Sequence, residues 1–363
     1  MPKGWWMGVL VGLQAFAAAA VEVRFEPVAE NVYAHVGDIG ARSVANEGLN
    51  ANLGLVVTPA GAVLIDSGAT WRSARDIHAA ARRVTTQPIR WVINTGGQDH
   101  RWLGNGYFQA QGAELIAHAS AVADMRSRGG DQVSALRALL GAAADDTVPT
   151  LPARLVEGPD ARLTLGGTVF ELRHRGGGHT PGDMMVWLPQ AQVVFAGDIV
   201  YVDRLLAVLP VSSTRAWLDA FAALEQLAPK HIVPGHGRVT DMASARAQTR
   251  DYLQALRVHM KRAVEQGIDE GDTFFARVDR SADGRLFGLV FDRTLEPARA
   301  GNPANYVLSR LGSAASQVFS PTAAKLRGDG LSVELEFPEP MAGGTEFRLA
   351  AAGLLAVGAT GAE

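Results

Sequence analysis

The stretch Arg173-His174-Arg175-Gly176-Gly177-Gly178-His179-Thr180-Pro181-Gly182-Asp183 decides how this chain is read. Its glycines let the backbone approach a ligand closely, and Pro181 fixes φ just beyond His179. Three other segments are built alike: Asn94-Thr95-Gly96-Gly97-Gln98-Asp99-His100, Phe195-Ala196-Gly197-Asp198, and Val233-Pro234-Gly235-His236-Gly237. Each ends an apolar, β-prone run in a loop bearing His or Asp. Four such loops bring oxygen and imidazole donors to one edge of a sheet, which is how a divalent metal is usually held. With no cysteine in the chain, a metal site has to be built from His, Asp, Glu and water.

Outward from these loops, strands and helices alternate. Val32 to Val36 reads as a strand, and Leu53–Val57 with Ala62–Ile65 as a hairpin turned at Thr58-Pro59-Ala60-Gly61. Ser73 to Val84 reads as an amphipathic helix with Ile77, Ala80, Ala81 and Val84 on one face. Ile89–Asn94 is the next strand, and a helix begins near Ala119. Strands flank Gly166-Gly167, then come Met184–Leu188, Val193–Ala196, a helix over Thr214–Leu227 and a short strand at His231–Val233. This order predicts a layered α/β architecture.

Met242 to Gly267 reads as one long helix, with Gly267 as its C-cap. Beyond it the period drops from 3.6 to two. Phe287, Leu289 and Phe291 alternate with Gly288 and Val290, and Val333, Leu335 and Phe337 alternate with Glu334 and Glu336. Short strands at this spacing predict a small all-β sandwich.

The 363 residues, 47% of them hydrophobic, suffice for one large or two ordinary cores. A net charge of −3 without a basic block argues against a nucleic-acid partner. At the N-terminus Lys3 precedes the apolar run Trp5–Leu13 and the small residues Ala15–Ala20. That pattern predicts a secretory signal peptide cleaved near Ala20, the run being short for a membrane span, which needs roughly 20 apolar residues. The alternative is an anchor that stays in place. The expected divisions are 1–20 signal peptide, 21–268 α/β domain and 269–363 β-sandwich. The mature protein is expected to be periplasmic or secreted, with no membrane span after cleavage.

In order and kind, the four loops resemble the metal loops of the metallo-β-lactamase fold family, over roughly residues 25 to 267. The resemblance implies an αβ/βα sandwich. Gly178-His179-Thr180-Pro181-Gly182-Asp183 keeps the family's second motif intact. Asp198 matches its metal-bridging aspartate and His236 its last histidine ligand. Asp66, in Leu64-Ile65-Asp66-Ser67-Gly68, matches an aspartate that supports the ligands. The first motif departs from His-x-His-x-Asp-His. Counting back from Asp99-His100, the histidine slots hold Thr95 and Gly97. Counting forward from Asn94-Thr95, they hold Gly96 and Gln98, and His100 and Arg101 take the Asp-His slots. The first register is preferred because it keeps a ligand pair. Either way the paired imidazoles of one metal are lost. The implied metal set is Asp99, His100, His179, Asp198 and His236, for one ion. Zinc suits these ligands, and iron or manganese fits the same donor types. Asp99 or Asp198, whichever the metal leaves freer, is expected to orient or deprotonate water. His35, His78, His118, His174, His231 and His259 are read as structural or exposed.

The string Asn94 to Asn105 is similar to a narrower branch, the quinoprotein relay system zinc metallohydrolases, associated with periplasmic PQQ-linked alcohol oxidation. Asn305-Tyr306-Val307-Leu308 and the segments before it resemble Ig-like modules of secreted bacterial proteins. The resemblance implies a periplasmic metal-dependent hydrolase of a small ester, lactone, thioester or amide, with a quinoprotein dehydrogenase system as partner. The other reading is a non-catalytic or weakly catalytic metal-binding accessory protein of that system. Loss of the paired histidines makes β-lactam hydrolysis the least favoured activity.

Overall fold

The computed structural model describes residues 22–265, 275–280, 285–291, 295, 297–310, 318–339 and 347–351. The chain divides into two compact units, the first ending at Val258 and the second beginning at His259. The expected signal peptide, the Gly267 cap and the expected break after residue 268 lie outside the described residues.

In the first unit, β1 (Glu26–Ala29), β2 (Val32–His35), β3 (Leu53–Thr58) and β4 (Gly61–Ile65) form an antiparallel meander. The helix α1 (Trp71–Val84) crosses to β5 (Ile89–Asn94), which pairs parallel with β4. Two short helices, α2 (Asp99–Trp102) and α3 (Asn105–Ala110), lead to β6 (Glu114–His118). Then α4 (Ala119–Leu140) leads to β7 (Arg154–Val156), and seven strands lie in sequence order in one sheet. The second sheet is built from β8 (Asp160–Leu165), β9 (Thr168–His174), β10 (Met184–Leu188), β11 (Val193–Tyr201), the helix α5 (Thr214–Gln226) and β12 (His231–His236). Its strand order is β12-β11-β10-β9-β8, antiparallel except for the β11–β12 pair.

Period-two side-chain alternation explains the layers. Val63 and Ile65 of β4 join Val186, Phe195 and Val233 in the core between the sheets. Ala62 and Leu64, facing the other way, pack under Ile77 and Ala80 of α1. In the second sheet Met184, Val186 and Leu188 face inward, while Met185 and Trp187 pack with Trp217 and Phe221 of α5. Both faces of both sheets are covered, which accounts for the fully apolar β10 and β4. The result is the expected four-layer αβ/βα sandwich.

The expected helix over 73–84 starts two residues earlier, because Thr70 and Ser73 form a reciprocal capping box. Instead of one helix from Met242, α6 (Met242–Ala245) passes through a π turn at Arg246–Arg250 into α7 (Asp251–Glu265). There Thr249 exchanges hydrogen bonds with the backbone of Tyr201. No helix among the described residues is long and apolar enough to cross a membrane.

The second unit contains β13 (Phe275–Arg280), β14 (Leu286–Phe291), α8 (Pro297–Ala300), β15 (Tyr306–Arg310), β16 (Val318–Phe319), β17 (Ala323–Leu326), β18 (Ser332–Glu336) and β19 (Phe347–Ala351). The order β13-β14-β18-β17 makes one antiparallel sheet and β16-β15-β19 another. Leu289, Val333, Leu335 and Phe337 are buried with Tyr306, as the alternation predicts. Two of the segments that set its connectivity, 311–317 and 340–346, lie outside the described residues.

Candidate metal centre

Three strand ends converge where the two sheets meet. β5 delivers Thr95 to Arg101, β11 delivers Asp198, and β12 ends on His236. The register of β11 against β12 slips between Phe195 and Gly197, and the bulge aims Asp198 at the centre. Gly197 sits at φ 52°, and a Cβ there would meet Thr95 Oγ1 at 2.5 Å. Only glycine lets the strand turn so close to Thr95.

His100, Asp198 and His236 come together, with one donor atom from each lying within 4.8 Å of the other two. All three are buried. His100 Nε2 lies 3.3 Å from Asp198 Oδ2, and His236 Nε2 lies 3.3 Å from Asp198 Oδ1. His236 Nδ1 is 2.7 Å from Asn50 O. A carbonyl only accepts, so Nδ1 carries the proton and Nε2 turns a lone pair toward the carboxylate. Two acceptors facing each other at this distance leave room, and a need, for a cation between them. His100 Nδ1 is itself buried without a hydrogen-bond partner. Burial is the largest influence on both rings, pushing His100 down to about 4 and His236 down to about 3. Both are therefore neutral at pH 7, the form that ligates metal. Burial alone would raise Asp198, but the Arg101 guanidinium holds it well below the usual carboxylate range. Two neutral imidazoles and one carboxylate fit a single divalent ion.

Consecutive residues of α2 point about 100° apart, so a one-residue shift of register changes every role. His100 turns Nε2 to Asp198, while Asp99 pairs with Arg42 and keeps Oδ1 3.4 Å from His100 Nδ1. Asp99 Oδ1 also accepts from His100 N at 2.8 Å. Arg101 turns inward and is 1% exposed. Its Nε and Nη2 donate to the two Asp198 oxygens at 3.2 and 2.5 Å. Nη1 donates to Asn52 O and to Asp66 Oδ2, and Nη2 also donates to Gly235 O. All five guanidinium N–H groups are thereby used. Burial opposes the charge, but Asp198 and Asp66 keep the guanidinium firmly protonated. Asp66, at φ 63°, also accepts from Thr95 N and Oγ1 at 2.7 and 2.8 Å. A bonded Asp66–Arg101–Asp198 row thus lies under the metal group, two anions flanking one cation, and its net charge of −1 favours a divalent ion above it.

The expected preference for Asp99-His100 as a ligand pair is not what the fold brings together. The arrangement follows the forward count, with His100 in the slot of the family aspartate and Arg101 in that of the histidine. Of the five expected ligands, Asp99 and His179 stay outside the three-residue group. His179 Nδ1 is 2.7 Å from Ala207 O, so it too is the protonated nitrogen, and burial lowers this ring to about 4. Asp198 still reaches it electrostatically. The lost paired imidazoles have a physical counterpart. A Cβ at Gly96 would meet Asp183 Oδ1 at 2.5 Å, Gln98 turns to Asp99, and Thr95 is bonded to Asp66. His118 lies elsewhere, stacked on His174 at 3.8 Å and accepting from Ser120 N at the start of α4.

Arg101 and Arg42 were not among the expected site residues. In Gln98-Asp99-His100-Arg101 an arginine reads as solvated, and the available signal was the forward count, which puts it in a ligand slot.

The model of the metallo-beta-lactamase superfamily matches residues 46–236. Similar solved structures include DIM-1 metallo-beta-lactamase, 20% identical over 65% of this chain and 98% of that one, TM-score 0.52. Another is a metallo-beta-lactamase from Pontibacter korlensis, 22% identical over 64% and 99%, TM-score 0.51. A third is TMB-1, 16% identical over 65% and 98%, TM-score 0.52. At these identities the structures speak for the fold alone, but the family model spans more than half of the chain and ends on His236. The chain belongs to the metallo-beta-lactamase superfamily, whose members are generally metal-dependent hydrolases.

Proposed function

We propose that this protein is a metal-dependent hydrolase working with one divalent ion, zinc by preference, held by His100, Asp198 and His236. The observation that carries this reading is the pair of neutral, buried imidazoles turned on a carboxylate that is held ionised. When bound, the ion would supply Lewis acidity, lowering the pKa of a water to about 7 and polarising a carbonyl. The chain's own groups divide the remaining work. Arg101, itself braced by Asp66, fixes Asp198 as a ligand and leaves it too weak a base to take a proton. Asp99, tied to Arg42, is not free to act either, so neither carboxylate keeps the expected proton-transfer role. His179, with Nδ1 committed to Ala207 O, keeps Nε2 as a lone-pair acceptor that can orient the water. The substrate is a small ester, lactone, thioester or amide. Zinc content of purified protein, followed by a panel of these four bond types, tests the proposal. Hydrolysis of none by zinc-loaded protein would sink it.

The closed Gly96 position favours the second reading, a metal-binding accessory protein with little or no turnover. The same panel decides between the two. We also propose, on the N-terminal pattern and the string Asn94–Asn105, that the protein is exported to the periplasm and serves a PQQ-linked oxidation system. The second unit, with its antiparallel sheets, would be its Ig-like docking module. N-terminal sequencing of protein from the native envelope checks export. A mature chain still starting at Met1 or Pro2 would contradict cleavage.

A further inference from the structure

The turn that carries His236 is held from outside. Gly235 and Gly237 flank the ligand and have no side chain to anchor it. A Cβ at Gly235 would meet Arg101 Nη2 and Asp198 Oδ1 at 2.5 Å each, and one at Gly237, at φ 89°, would run into Val202 O. The backbone is thus threaded close to the metal group, and the four carbonyls from Pro234 to Gly237 need donors from elsewhere. Asn52 serves three of them. Its Nδ2 donates to Pro234 O at 2.9 Å and to Gly237 O at 2.6 Å, and its backbone N donates to Gly235 O at 2.9 Å. The fourth carbonyl, of His236, accepts from Val202 N at 3.1 Å.

The other polar groups of Asn52 are committed as well. Oδ1 accepts from Gly37 N at 3.0 Å, which fixes the end of the amide that donates. The backbone O accepts from Arg101 Nη1 at 3.1 Å, and Arg101 is the cation that grips Asp198. Two residues earlier, Asn50 O receives His236 Nδ1 at 2.7 Å. One short segment leading into β3 therefore fixes the ring of His236, the backbone around it and the guanidinium behind Asp198. Asn52 is 2% exposed, so no solvent stands ready to replace a donor it loses.

We infer that Asn52 is a positioning residue that sets two of the three metal ligands at once, His236 through the carbonyls of its turn and Asp198 through Arg101. The inference rests on reading His100, Asp198 and His236 as a metal group, and goes beyond it by naming what holds their spacing. Asn52 acts through backbone and guanidinium, with no bond of its own to a ligand side chain. Groups that orient ligands in this way typically govern metal affinity by roughly 10–100-fold.

The test uses the full-length protein, with Co2+ as a spectroscopic probe and zinc affinity read by competition against a chromophoric chelator. Asn52→Asp keeps the shape, the Gly37 contact and the backbone bonds, but turns an oxygen on Pro234 O and Gly237 O. Asn52→Ser keeps the position neutral with one shorter donor, and serves where the first variant does not fold. Ile89→Ala opens a cavity at the far end of β5 and gives a destabilised protein whose ligands are untouched. The expected result is metal affinity lowered about tenfold or more in an Asn52 variant, with a displaced Co2+ absorption band. Ile89→Ala should keep both affinity and band, whatever its fall in Tm. In the double variant Asn52→Ser with Arg101→Lys, the loss should be smaller than the product of the two single losses, because both act on one support. Wild-type affinity and band in an Asn52 variant, losses that track Tm in every variant including Ile89→Ala, or losses that multiply in the double variant would each overturn the inference and leave the metal group standing. Wild-type protein that takes up neither Co2+ nor zinc would overturn the metal reading together with it.

Discussion

Replacing Arg101 with Met keeps much of the side chain's length and apolar bulk but removes the guanidinium bonded to both Asp66 and Asp198. Five hydrogen bonds go with it, two of them to Asp198 and one to Asp66. Both carboxylates are 2% exposed, so water cannot take over without opening the site. Removing one partner of a buried ion pair costs about 3–5 kcal/mol, because the other charge stays behind unpaired. For a unit of this size that is a fall of roughly 10 °C in Tm. Arg101→Lys restores the charge but offers three donors for five acceptors, and should fall between Met and wild type. The assay is thermal unfolding of zinc-free protein by circular dichroism, with zinc titrated separately into each folded variant. Zinc affinity should drop in Arg101→Met, because Asp198 would lose its orientation and its low pKa. A zinc-free Arg101→Met protein melting within about 2 °C of wild type, where a buried pair is worth far more, would refute the reasoning.

Three other expectations follow from the same geometry. Ala in place of His236 or Asp198 should abolish zinc binding, whereas His118→Ala should keep it and cost about 1 kcal/mol of stability through the lost contact to Ser120 N; plasma emission analysis reads the metal and urea unfolding the stability. Gly96→His with Gln98→His, which restores the family spacing, should not create a second site, since the new Cβ at 96 meets Asp183; a second zinc in the double variant would show that Asp183 yields easily. The third concerns pH. His100, His179 and His236 are lowered to about 4, 4 and 3 from 6.5, so between pH 6.5 and 4 the unfolded chain binds protons that the fold does not. Stability of the zinc-free protein should therefore decline as pH falls through that window, against a smaller opposite contribution from Asp183, which burial raises to about 7. Urea midpoints that are flat or rising from pH 6.5 down to 4.5 would contradict the assignment of neutral imidazoles.

Much of the fold was legible because its layers write themselves as periodicity. The run Met184–Leu188 is apolar at every position because both faces of β10 are covered, and Ile77, Ala80 and Ala81 mark the one buried face of α1. His100, Asp198 and His236 were legible from their loops. What was not legible depended on direction. Asp99, His100 and Arg101 are adjacent in sequence, yet α2 sends them to Arg42, to the metal group and to the buried anions in turn. No local pattern distinguishes a solvated arginine from one that five buried acceptors surround, because the acceptors come from residues 52, 66, 198 and 235. The break at the π turn was likewise set by a distant partner, Tyr201, and not by a helix-stop residue.

The central claim is that one ion sits among His100, Asp198 and His236. Anomalous diffraction at the zinc edge, from crystals of zinc-loaded and dialysed protein, tests it most directly. The account predicts a single strong peak per chain, bordered by His100, Asp198 and His236, with Arg101 behind Asp198 and Asp99 still on Arg42. Two peaks, a peak ligated by Asp99, or no peak at zinc concentrations that saturate binding would contradict it.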